Sequence, residues 1–217
     1  REISFPEAHD GQGAVDHTAP PRAPRRKLAD DALLWIDLEM TGLDPKRDVI
    51  LEIACVLTDG NLLRVIDGPE VVISHPQAVL DGMSAWCVDT HGASGLTKRV
   101  LESTTSLRDA ELQVIEFLRE HTESVRVNLA GNAIYKDKEF LDRYMTELVE
   151  DHLSWRLVDV STINELAQRW FPNVLRKRPR KKGGHRAKQD VLESIAELRF
   201  YQKSLFRSPA ATGGKGG

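Results

Sequence analysis

Apolar residues change their period along this chain, and the change marks out its elements. The run Leu33-Leu34-Trp35-Ile36 predicts a short buried strand, and Gly42-Leu43-Asp44-Pro45 after it predicts a turn. Residues 49–58 and 63–74 predict two more strands separated by the turn Asp59-Gly60-Asn61, which makes a three-stranded meander. Helical spacing follows over 79–86 and 96–101. It is clearest over 107–120, where Leu107, Ala110, Val114, Phe117 and Leu118 fall on one face. A fourth apolar run over 125–130 ends at Gly131-Asn132, and helical spacing resumes over 137–144 through Phe140, Leu141 and Tyr144. A short fifth strand is predicted at 156–158, after which Asp159 or Ser161 can cap a helix ending near Trp170. A polar loop over 172–184 then leads into a closing helix over 187–206, with Val191, Ile195 and Leu198 on its apolar face. Three strands followed by strands alternating with helices imply an α/β fold, a mixed five-stranded sheet flanked by helices.

Both ends lack such periods. Residues 1–30 are rich in Gly, Pro, His and mixed charge, and 208–217 in Ala, Gly and Pro, so both are expected to be disordered tails around one domain over 31–207. With 30 Lys and Arg against 33 Asp and Glu, the net charge of −3 supplies no global field for long polyanions. Any basic surface is local, and 176–182 holds six basic residues in seven. No apolar run nears the roughly 18 residues of a membrane span. Cys55 and Cys87 sit among apolar residues without a signal-peptide pattern, which points to a reducing compartment. Cytosol is the expected location. Glu2, Glu7, Asp10 and Asp16 speak against an organellar transit peptide, yet the sequence begins at Arg1, so mitochondrion and nucleus remain alternatives.

The acids are the chemical signal. Asp37 and Glu39 follow directly on an apolar run, and the two-residue period of a strand turns both to one face. Asp137 starts a helix after the fourth strand, and Asp190 lies one turn inside the closing helix, five residues after His185. Four carboxylates converging on one cleft would repel each other without cations, and oxygen-only ligand sets suit magnesium or manganese. Such a set can build a two-metal centre for in-line displacement at phosphorus. His185 would be its general base, because imidazole titrates near neutral pH.

These residues carry a family resemblance. The segment from Trp35 to Asp44, reading Trp-Ile-Asp-Leu-Glu-Met-Thr-Gly-Leu-Asp, resembles the first exonuclease motif of the oligoribonucleases. Those are DEDDh-type 3′-to-5′ exonucleases of the ribonuclease H-like superfamily. The likeness extends through Trp86 with His91-Gly92-Ala93-Ser94-Gly95-Leu96, Gly131-Asn132 with Asp137, Asp159-Val160-Ser161-Thr162, and His185-Arg186-Ala187 with Asp190. It implies a ribonuclease H-like fold. It also implies that Asp37, Glu39, Asp137 and Asp190 hold two Mg2+ or Mn2+ ions, that His185 deprotonates the attacking water, and that Leu43, Trp86 and His91 hold short RNA. The family further implies a homodimer in which an aromatic-arginine pair, here Trp155-Arg156, reaches the partner's site to cap the substrate phosphate, with Ser161 as a further phosphate contact.

The chain departs from the family at four places, one of them the loop over 176–182, which is more basic than the family usually shows. Trp155 replaces the usual tyrosine, Ala133 stands where serine is usual, and Lys188-Gln189 replaces an apolar residue and an acid before Asp190. The activity implied is 3′-to-5′ degradation of short oligoribonucleotides, dinucleotides included, to nucleoside 5′-monophosphates. Two alternatives stay open: a related exonuclease for longer RNA or DNA, and a catalytically weak RNA-binding relative.

Overall fold

The structure is a computed structural model that describes residues 26–124, 126–179 and 186–206. A five-stranded sheet has the order β3-β2-β1-β4-β5, formed by β1 Leu33–Met40, β2 Ile50–Thr58, β3 Val65–Val72, β4 Val127–Gly131 and β5 Leu153–Asp159. β1 pairs antiparallel with β2 and β2 with β3, while β1 with β4 and β4 with β5 run parallel. This is the mixed sheet the pattern predicts.

The layers follow from the alternation in β1. Leu34, Ile36 and Leu38 pack in one core with Val114, Phe117 and Leu118 of α4 (Leu107–His121) and with Phe140 and Leu141 of α5 (Ile134–Tyr144). Leu33 and Trp35 face the opposite layer, against Val160 and Ala167 of α6 (Val160–Trp170) and Val191, Ile195 and Tyr201 of α8 (Ala187–Leu205). Trp35 is fully buried, and its indole N–H donates to the Thr58 hydroxyl at 3.0 Å, which removes the cost of burying both polar groups. The odd-numbered face that begins with Leu33 and Trp35 continues into Asp37 and Glu39. A third cluster, Leu51, Leu80, Leu96 and Val100, seats the helical stretch before α4 on β2.

The structure differs from the sequence expectations in several places. Instead of one helix over 79–86 there are α1 Gln77–Leu80 and α2 Ala85–Ala93, followed by α3 Leu96–Glu102. Ser84 is the cause, because its hydroxyl caps α2 by accepting from the Cys87 N–H and so starts a new helix there. A short π-helical segment, Leu148–His152, precedes β5, and a single turn, α7 Pro172–Leu175, opens the stretch expected to be loop. Leu28, expected in the tail, is buried, and its N–H and carbonyl bond to the His121 carbonyl and the Glu123 N–H. Both cysteines are buried and free. No helix among the described residues is long and apolar enough to cross a membrane.

Candidate active site

The carboxyl ends of the parallel strands β1, β4 and β5 lie on one side of the sheet, where open α/β sheets place their ligands. β1 brings Asp37 and Glu39 there, and α8 crosses the same face so that Asp190, in its first turn, meets them. One carboxylate oxygen from each of Asp37, Glu39 and Asp190 lies within 4.8 Å of the others. Asp137 approaches from the other layer, in the first turn of α5. Its Oδ1 accepts the Leu38 N–H at 2.9 Å, between the two β1 acids. Three of the four predicted acids therefore gather closely, and the fourth is tied to the strand that carries two of them.

The charges are held at a cost. Burial pushes the Glu39 carboxyl up to about 8, helped by the neighbouring carboxylates of Glu52, Asp190 and Asp137 and opposed by Arg99. Burial likewise raises Asp137 to about 7, against the Leu38 N–H, which stabilises its ionised form. Hard oxygen donors that cannot all ionise alone are a fitting set for a divalent cation.

Beside Glu39 opens a cleft of about 720 Å³ lined by Leu43, Trp86 and His91, among others. Leu43 and Trp86 present their apolar surfaces to it, at 68% and 63% exposed. Leu43 is held out by a tight turn in which the Asp48 carboxylate accepts from the Thr41 hydroxyl and the Asp44 N–H. A side chain at Gly42 would push that carboxylate out of its place in the turn. His91 is buried, and its Nε2 bonds to the Met40 carbonyl at 2.9 Å, which puts the proton on Nε2. Its Nδ1 is left 3.9 Å from a Glu39 oxygen and without a hydrogen bond among the described residues.

Trp155, Arg156 and Ser161 are not in the lining of this cleft. Trp155 is 81% exposed on the edge strand β5, with the Arg156 guanidinium over its ring at 4.7 Å. The Ser161 N–H and hydroxyl both donate to Asp159 Oδ1, which also takes the Ala133 N–H. Asp159 thus joins the turn before α5 to the start of α6. Lys188 pairs with Asp67 and Gln189 donates to Glu193, so this departure from the family leaves Asp190 in the acid cluster. His185 lies outside the described residues.

Sequence reasoning missed Glu52 and Arg99, whereas Asp159 caps α6 as expected, accepting the Ser161 N–H. Glu52 had a signal, as the sole charge in the apolar run from Ile50 to Thr58. Ala133 adopts φ 55°, ψ 34°, a left-handed conformation that costs a non-glycine residue roughly 1–2 kcal/mol. Ala133→Gly is therefore expected to stabilise the fold by up to about 1 kcal/mol, after glycine's greater entropy loss. Urea denaturation checks this, and a fall in the midpoint would show that the turn is unstrained.

The exonuclease family model matches residues 34–198. The chain is 46% identical over 175 residues to the human mitochondrial oligoribonuclease, covering 81% of this chain and 73% of that protein. It is 49% identical over 177 residues to the Marinobacter nauticus oligoribonuclease, covering 82% and 97%. The chain belongs to the oligoribonuclease family of exonucleases. That family is one of DEDDh exonucleases of the ribonuclease H-like superfamily. The fold is also that of exonuclease I. The apo structure superposes with a TM-score of 0.63 at 14% identity, and E. coli exonuclease I in complex with a dA16 oligonucleotide with 0.63 at 13%. This chain spans 43% and 41% of those two chains, and 83% and 81% of it are covered.

Proposed function

We propose that this protein is a 3′-to-5′ exoribonuclease that degrades short oligoribonucleotides, dinucleotides included, to nucleoside 5′-monophosphates. The observation that carries this reading is the gathering of Asp37, Glu39 and Asp190, of which Glu39 lines a cleft bearing Leu43 and Trp86, in a chain of this family. The cleft's volume falls in the range of small-molecule pockets, roughly 300–1,000 Å³, which suits a few nucleotides better than a long strand. Trp86 and Leu43 offer bases an apolar and a stacking surface, a contact indifferent to base identity.

Asp37, Glu39 and Asp190, with Asp137, would hold Mg2+ or Mn2+ as a pair of ions. When bound, such ions supply Lewis-acid polarisation of the phosphate and a lowered pKa for the attacking water. His185, five residues before Asp190, would act as the general base toward the attacking water. His91, in the lining of the cleft beside Glu39, would help to hold the substrate's chain end.

The working unit in this reading is a homodimer. Trp155 and Arg156 sit exposed on the edge strand and away from their own cleft, as residues would that serve a partner's site. Arg156 meets the substrate phosphate there with its planar fork, and Ser161 adds a contact if its hydroxyl leaves Asp159. The human relative's name favours a mitochondrial setting over the expected cytosol.

The test is mononucleotide release from a 5′-labelled diribonucleotide, with and without Mg2+ or Mn2+, against a twenty-nucleotide RNA. Metal-dependent turnover that is faster on the dinucleotide is expected, and faster turnover of the long RNA would sink the short-substrate reading. For the dimer, inactive Asp190→Asn and Arg156→Ala proteins are mixed. Random pairing is expected to restore about one quarter of wild-type activity, because one site in each mixed dimer is then complete. No recovery after exchange of subunits would place Arg156 in its own protomer's site.

A further inference from the structure

A second layer of charge lies directly behind the acid cluster. In the register of β1 with β2, Glu52 is the cross-strand partner of Glu39, and residues directly opposite project to the same face. Like charges in that position repel, and Glu52 is only 1% exposed. The conflict is answered from α3. Arg99 closes a two-pronged ion pair on Glu52, Nη1 to Oε1 at 2.6 Å and Nη2 to Oε2 at 3.3 Å. Both oxygens of Glu52 are engaged. A carboxylate and a guanidinium placed here act on the Glu39 charge in opposite senses, Glu52 repelling it and Arg99 attracting it.

The pair is not needed to attach α3. Leu96 and Val100 already bury their side chains with Leu51 and Leu80 against the sheet. Nor is a buried ion pair an efficient source of stability, since apolar residues of similar volume commonly do as well. Its placement beside one ligand carboxylate is the feature that an apolar replacement would not reproduce.

We propose that Arg99 and Glu52 are positioning residues for the metal site: the Arg99 fork occupies the Glu52 carboxylate and cancels its charge, so that Glu39 alone faces the cations from this register position. The inference rests on the metal-site reading given above. It assigns opposite effects to the two partners. Without the Glu52 charge, the Arg99 guanidinium is free to pair with Glu39 and repel cations. Without Arg99, an uncompensated carboxylate is added beside the site.

The experiment is calorimetric titration of the whole protein with Mn2+ alone, for wild type, Glu52→Gln, Arg99→Met, the double variant, and Asp190→Asn as a control. Even screened by a dielectric near that of water, about 80, a unit charge roughly 6 Å from a divalent cation shifts a binding constant about tenfold. Glu52→Gln is therefore expected to weaken Mn2+ binding about tenfold and Arg99→Met to strengthen it by a similar factor. The double variant should return to within about threefold of wild type. A merely structural tie moves both single variants the same way, towards weaker binding, and that result, or no change in either, overturns the proposal. If Arg99→Met does not fold, the Glu52→Gln background decides, because adding Arg99→Met there must strengthen Mn2+ binding. Wild type that binds no Mn2+ overturns this inference along with the metal-site reading, whereas wild-type binding with shifts of the same sign overturns this inference alone.

Discussion

Asp190→Asn is expected to lower turnover of a diribonucleotide by about a thousandfold or more while the protein still folds, because Lewis-acid stabilisation is worth several kcal/mol and each 1.36 kcal/mol is tenfold in rate. Asparagine keeps the size of the side chain and one oxygen but removes the charge that helps hold a cation. The helix that carries the residue is anchored elsewhere, through Val191, Ile195 and the fully buried Tyr201. Removing the charge also relieves Glu39, whose ionised form Asp190 disfavours. The thermal midpoint without metal is therefore expected to hold or rise, and the rise produced by Mn2+ in wild type to disappear. Activity, circular dichroism and a melt with and without Mn2+ check all three. A variant that melts normally and keeps its Mn2+ response would remove Asp190 from the site.

How far the site could be read from sequence depends on how local its signals are. The period of two in β1 was sufficient to put Asp37 and Glu39 on one face, and the strand does extend through both, to Met40. The amphipathic spacing of α4 was equally sufficient, and its Ser106 cap, closed reciprocally by Asp109, fixes the start that the apolar pattern gives. The meeting of Asp190 with β1 is a different matter. It depends on α8 crossing the face that Trp35 shares with Asp37, and no short-range pattern encodes that crossing. The places of the four acids at a strand end and at helix starts suggest the convergence, and the family resemblance makes it specific. Where local signals compete, as between the apolar residues of 79–86 and the Ser84 cap, the hydrogen-bonding side chain won. Glu52 was legible as an odd charge but not as a neighbour of Glu39, because register across a hairpin follows from the turn and the bulge near Glu39. Leu28 was missed because a single apolar residue that docks on the end of α4 has no period at all.

The metal-free protein is expected to lose stability as pH rises from about 5 to 8, and divalent cations are expected to cancel much of that loss. Glu39 titrates near 8 in the folded chain against 4.5 for an ordinary glutamate, and Asp137 near 7 against 3.8. At pH 5 the folded state thus holds protons that the unfolded state has largely released. Stability must then fall with pH wherever the folded state binds more protons, and the fall ends once Glu39 has ionised, above about 8. The two groups interact, so their contributions do not simply add. A loss on the order of 3 kcal/mol across the window, or roughly 6–12 °C in melting temperature, is the expected scale. Cations reverse the sign, because they bind the ionised carboxylates and release the protons. At one hundred times its dissociation constant, Mn2+ adds about 2.7 kcal/mol, an effect concentrated at the alkaline end, where the carboxylates are free to bind it. Urea denaturation at pH 5, 6, 7 and 8, with Mn2+ or with a chelator, measures both arms. A chelated protein whose stability is flat or rises over this range would show that the acids are ionised together without cations. Mn2+ stabilisation of equal size at pH 5 and pH 8 would place the ion away from Glu39 and Asp137.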